Sequence, residues 1–114
     1  MTELYLGNNE LTHLPVEIGQ LTQLNTLYLY NNKLTHLPIE IRQLTQLTIL
    51  NVSHNKLTHL PVEIGQLTQL VRLYLYNNPI ENLLNPIIHR VIQRINNINT
   101  IYSIVSVVLF LLVD

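Results

Sequence analysis

Residues Leu11–Leu24 read LTHLPVEIGQLTQL, and Leu57–Leu70 read the same string letter for letter. Between them Leu34–Leu47 repeats it with two changes, Ile39 for Val and Arg42 for Gly. The copies lie 23 residues apart, and the period reaches beyond them: Asn9, Asn32, Asn55 and Asn78 keep it, as do Leu24, Leu47 and Leu70, and Pro15, Pro38 and Pro61. Chance does not produce this, so the segment arose by duplication. Each unit must take nearly the same shape and stack on its copies.

One unit can be read physically. In Leu24-x-x-Leu27-x-Leu29 the last apolar residues alternate, which suits a short strand with Leu27 and Leu29 inward and Tyr28 and Tyr30 outward. Asn31-Asn32 then stops the strand, because Asn turns the chain readily and bonds nearby backbone. Leu34 and Leu37 return to the core. Pro38 ends extended pairing and suits the first turn of a helix. Ile41, Leu44 and Leu47 follow at a spacing of three, as on one face of a helix or a 3₁₀ turn. Strand, turn and short helical return make one coil.

The full pattern, L-x-x-L-x-L-x-x-N-x-L-x-x-L-P-x-E-I-x-x-L-x-x-L, resembles the leucine-rich repeat family. Its L-P-x-E-I-G-x-L form is similar to the subclass found in Ras-pathway scaffolds, plant intracellular repeat proteins and bacterial effectors. The resemblance covers about residues 1–84, as three full copies and a degenerate fourth. It implies an α/β solenoid: a short parallel sheet on the concave face, helical or 3₁₀ turns on the convex side, and a protein-binding role. Three departures stand out. Met1 sits where a repeat's first Leu belongs, the fourth copy reads Leu83-Leu84-Asn85-Pro86 in place of L-P-x-E-I, and residues 85–114 match no repeat.

Composition narrows the function classes. Of 114 residues, 47% are hydrophobic and only 11% charged, against roughly 25% charged in an average domain. With no Cys there is no disulfide framework, thiolate metal site or cysteine nucleophile. A net charge of −1 with scattered basic residues gives no footprint for nucleic acid. The sequence offers no Gly-rich phosphate loop and no nucleophile beside a base, so no catalytic residue and no cofactor is assigned.

Three further ladders follow the period. Asn9, Asn32, Asn55 and Asn78 read as structural, each amide satisfying loop backbone of adjacent coils. His13, His36 and His59 invite a metal reading. On stacked coils about 5 Å apart their rings all point the same way and do not converge on one ion, so no metal site is assigned. Glu17, Glu40 and Glu63 follow a Pro, where negative charge favours a helix start.

The outward strand positions carry the functional expectation. On successive coils they are Tyr5 and Gly7, Tyr28 and Tyr30, Asn51 and Ser53, then Tyr74 and Tyr76. Beside them lie Asn31, His54 and Asn77, with Thr26, Ile49 and Arg72. The return segments barely differ between copies, whereas these positions do. Tyr is a favoured contact residue, large, rigid and able to hydrogen-bond. The expected binding residues are Tyr5, Tyr28, Tyr30, Asn31, Asn51, His54, Arg72, Tyr74, Tyr76 and Asn77, and the expected partner is a protein. Four strands give roughly 300 Å² of footprint, below the roughly 800 Å² per partner of a standard interface.

At the C-terminus, Asn85-Pro86 is a helix-start signal. Ile87, Ile88, Val91, Ile92, Ile95 and Ile98 fall on one helical face, and His89, Arg90, Gln93, Arg94, Asn96 and Asn97 on the other. Such a helix can cap the open end of a solenoid. The tail from Ile101 to Val113 would span about 20 Å as a helix, short of the ~30 Å hydrocarbon core. Residues 85–114 are therefore expected to be a capping helix with an apolar tail, in a cytoplasmic protein. The alternatives are a membrane-tethered protein that uses residues 98–113, or part of a larger effector or signalling protein. An uncapped first coil would expose Leu4, Leu6 and Leu11, which allows a homodimer through that edge.

Overall fold

The computed structural model describes residues 1–95. Four short strands, β1 (Glu3–Tyr5), β2 (Thr26–Tyr28), β3 (Ile49–Asn51) and β4 (Arg72–Tyr74), form one parallel sheet in sequential order. The register moves by one repeat at each step: Leu4 faces Leu27, Leu27 faces Leu50, and Leu50 faces Leu73. Parallel neighbours need a crossover between them. Here 3₁₀ turns at Val16–Gln20, Ile39–Gln43 and Val62–Gln66 supply it. This is the repeat solenoid that the period predicts.

Proline sits differently from the sequence expectation. Pro15, Pro38 and Pro61 stand one residue before each 3₁₀ turn, in extended backbone, rather than within its first turn. Their carbonyls accept the first turn bond, from Ile18, Ile41 and Ile64 at 3.1, 3.0 and 3.1 Å. The ring's fixed φ serves an extended residue as well as a helical one, and no ladder bond needs the missing N–H.

The interior is a column of aliphatic side chains between sheet and turns. Leu24, Leu27, Leu29, Leu34, Leu44, Leu47, Leu50 and Leu57 are wholly buried, and each such leucine contributes about 1.5–3 kcal/mol. In the first coil the counterparts Leu4, Leu6, Leu11 and Leu21 are only partly buried.

The asparagine ladder ties coil to coil. Asn32 Nδ2 donates to Leu29 and Leu6 carbonyls at 3.0 and 2.9 Å, and its Oδ1 accepts from the Leu11 amide at 3.1 Å. Asn78 repeats the arrangement with Leu75, Val52 and Leu57 at 3.0, 2.9 and 3.0 Å. Asn9 departs from the predicted stack. It is exposed and bonds only its own coil, at Leu6 and Gly7 carbonyls. The degenerate fourth copy adds a second clasp, Asn82, which accepts from the Leu60 amide at 3.0 Å and donates to its carbonyl at 2.8 Å.

Helix α1 (Pro86–Ile95) then closes the C-terminal end against the Val62–Gln66 turn and β4. Asn85 Oδ1 caps it, accepting from the Ile87 and Ile88 amides at 2.9 and 3.4 Å. Ile88, Val91 and Ile92 are buried, as the apolar face predicts. Ile87 is not: it stays 43% exposed. It lies at the rim over Gly65, where a Cβ would come within 2.8 Å of Ile87 Cγ2, so glycine permits the close approach. Arg94, assigned to the wet face, reaches back to donate to the carbonyls of Leu67, Thr68 and Leu70 at 3.1, 3.2 and 3.0 Å. The readings for Asn96, Asn97, Ile98 and the apolar tail lie outside the described residues. No helix among the described residues is long and apolar enough to cross a membrane.

Candidate interaction surface

The strands place four rows of residues on the concave side. In register along the sheet run Glu3, Thr26, Ile49 and Arg72, then Tyr5, Tyr28, Asn51 and Tyr74. Two residues further along each coil come Gly7, Tyr30, Ser53 and Tyr76, followed by Asn8, Asn31, His54 and Asn77. The ten residues expected to bind share this face. Tyr5, Tyr30, Asn31, His54, Arg72 and Asn77 are exposed, and Tyr28, Asn51, Tyr74 and Tyr76 are half-buried. Only Glu3 and Arg72 among these rows are charged.

The rings are organised against one another. Tyr5 and Tyr28 stack with centroids 4.9 Å apart, and Tyr28 meets Tyr30 edge-on at 6.4 Å. Tyr30 leans back over coil 1. A Cβ on Gly7 would lie 2.7 Å from its ring, so a larger residue there would push the exposed ring aside. Tyr76 meets His54 edge-on at 5.1 Å. Ser53, read from sequence as an outward strand position, is 1% exposed. Its hydroxyl donates to Asn51 Oδ1 at 2.6 Å, and it lies in the row between Tyr30 and Tyr76. Thr26 is also buried, with its hydroxyl on Asn25 Oδ1 at 3.0 Å.

The last row has a backbone signature. Asn8, Asn31, His54 and Asn77 carry φ of 59°, 56°, 55° and 58°, the left-handed region that Asn tolerates better than most residues. Their side chains pair across coils: Asn31 Nδ2 donates to Asn8 Oδ1 at 2.7 Å, and Asn77 Nδ2 donates to His54 Nδ1 at 3.1 Å. Asn8 belongs to this row although the sequence reading did not single it out. Its spacing of 23 from Asn31 is the signal that could have found it. Glu3 was missed as well. The Tyr5 hydroxyl donates to Glu3 Oε2 at 2.7 Å. That bond, then desolvation and the nearby carboxylate charge, raise the Tyr5 phenol above its ordinary pKa of 10.0.

Elsewhere, His13, His36 and His59 are exposed, and each ring Nδ1 lies 3.2 Å from the hydroxyl of the preceding threonine. Among the described residues no three His, Asp or Glu side chains gather in a way that could hold a metal ion.

The leucine-rich repeat region model matches residues 3–97. The chain belongs to the leucine-rich repeat family. Solved structures of the family superpose on it. A leucine-rich repeat protein of Leptospira interrogans is 52% identical, with a TM-score of 0.68 over 68% of this chain and 20% of that one. The plant peptide hormone receptor RGFR1, in complex with RGF2, is 38% identical with a TM-score of 0.65, over 70% of this chain and 14% of that one. The BIR2 ectodomain of Arabidopsis thaliana is 30% identical with a TM-score of 0.61, over 68% of this chain and 42% of that one. The chain thus spans a fifth or less of the first two and under half of the third. No curated protein matches it. Leucine-rich repeats of this kind are generally protein-interaction modules rather than enzymes.

Proposed function

We propose that the chain is a non-catalytic protein-binding module that meets its partner with the concave face. The observation that carries this is the placement of Tyr5, Tyr28, Tyr30, Tyr74 and Tyr76 on one nearly uncharged side of the sheet, none of them fully buried. Phenol rings offer apolar area with little entropy to lose and a polar tip for hydrogen bonds. Asn31, Asn51, His54, Arg72 and Asn77 add polar groups among them. The neighbour in complex with a peptide hormone supports the same class of role. A footprint of roughly 300 Å² predicts weak binding by this segment alone.

The test is panning of a random peptide library on the intact chain, with Tyr28→Ala/Tyr74→Ala as counter-target. Selected clones should lose binding to the variant. Clones that bind both equally would place the binding site elsewhere.

A second reading is association of two copies through the β1 edge, favoured by the partly buried Leu4, Leu6, Leu11 and Leu21. Light scattering across a concentration series separates it from a monomer.

A further inference from the structure

The class of partner can be narrowed from three features of the concave face. The first is a spacing. Tyr28 with Tyr30 in the second coil, and Tyr74 with Tyr76 in the fourth, flank a third coil with Asn51 and Ser53 in their places. At about 4.8 Å per strand the two pairs stand about 9.6 Å apart along the solenoid axis. Tyr30 leans onto Gly7 and Tyr76 meets His54, each on the coil before its own. The shared lean preserves the separation.

A polyproline II helix has three residues per turn and rises about 3.1 Å per residue, so positions i and i+3 fall on one side about 9.3 Å apart. An extended β-peptide returns to the same side only at about 6.6 or 13 Å, which misses the second pair. The second feature is size. Roughly 300 Å² is too little for a globular partner, whereas about six residues of polyproline II cover about 19 Å, the width of the sheet. The third is charge. Glu3 and Arg72 stand at opposite ends of one row, about 14 Å apart by strand spacing, with only neutral residues between them.

We propose that the concave face binds a proline-rich segment in the polyproline II conformation, laid along the solenoid axis with every third residue on a tyrosine pair. This rests on the concave-face reading above. Proline rings lie against phenol faces, and tyrosine hydroxyls donate to peptide carbonyls that polyproline II leaves unbonded. A basic residue at the Glu3 end and an acidic one at the Arg72 end set the direction of the segment.

The probe is a synthetic twelve-residue peptide of Pro-x-x triplets with Arg at one end and Glu at the other. The control has the same composition and the same charged ends, with its prolines at every second position so that no two stand three residues apart. Both are titrated into the full chain by NMR. The triplet peptide should bind at least tenfold tighter than the control. Tyr30→Ala and Tyr76→Ala should each weaken it about tenfold. Arg72→Glu, a surface change that spares the core, should weaken it and recover affinity for a peptide whose acidic end is made basic. Equal binding of the two peptides overturns the proposal, as does unchanged binding by folded Tyr30→Ala and Tyr76→Ala. If library clones depend on Tyr28 and Tyr74 but show no third-residue proline preference, this proposal falls and the broader reading stands. If clones ignore those tyrosines, both fall.

Discussion

Asn55 donates through Nδ2 to the carbonyl of Leu29, one coil earlier, at 3.0 Å. The same amide donates to Val52 within its own coil at 3.0 Å, and its Oδ1 accepts from the Leu34 amide at 3.0 Å. One buried side chain thus satisfies backbone on two coils. Asn55→Leu strands those groups in the interior, at about 1–3 kcal/mol for each buried group left unpaired. The expected loss is about 3 kcal/mol or more in urea unfolding. Asn9→Leu, at the exposed end of the same ladder, should cost well under half as much.

His54 occupies a left-handed position where the other three coils carry Asn. Asn and His are both enriched in that region, but the short Asn side chain can also hydrogen-bond locally there. His54→Asn restores the Asn–Asn pairing seen between Asn8 and Asn31 and should raise stability by a few tenths to about 1 kcal/mol. A lower urea midpoint would show that the ring contact with Tyr76 outweighs the backbone strain.

The Tyr5 phenol is raised chiefly by its hydrogen bond to Glu3. A raised value in the folded state means that folding favours the neutral ring. That contribution is complete below the ordinary phenol range and is lost as pH climbs through the raised value. In an ultraviolet phenolate titration of Glu3→Gln, Tyr5 should ionise at lower pH than in the parent chain. An unmoved Tyr5 transition would mean that Glu3 is not the cause.

Arg94 holds three carbonyls at the end of the last 3₁₀ turn. Arg94→Met keeps the aliphatic stem and removes the donors. Charge-assisted bonds of this sort are worth about 1.5–3 kcal/mol when buried, and this exposed guanidinium belongs at or below the lower end. Hydrogen exchange should quicken at the amides of Val91 and Ile92 while those of Leu27 and Leu50 stay protected. Uniform loss of protection would instead mean that α1 and the sheet unfold as one unit.

Much of this was legible without coordinates. Leu27 and Leu29 alternate inward because a strand has period two, and Ile41 and Leu44 follow at three because the return is a 3₁₀ turn. Asn85 is a helix cap for local reasons that any chain would obey. The ten candidate binding residues fall on one face because the register carries each coil's strand onto the next.

What repetition in the sequence determined was therefore the coil, its dry side and its tyrosine side. Tertiary structure alone decided that Ser53 is covered, that Asn9 leaves its ladder, that Ile87 sits at the rim over Gly65 and that Arg94 turns inward to backbone. In a stack, half of each residue's surroundings belong to the neighbouring coil. Periodicity describes that neighbour well only for interior copies. At the two ends, and for side chains long enough to cross between elements, the neighbour is known only once the coils have been laid against one another.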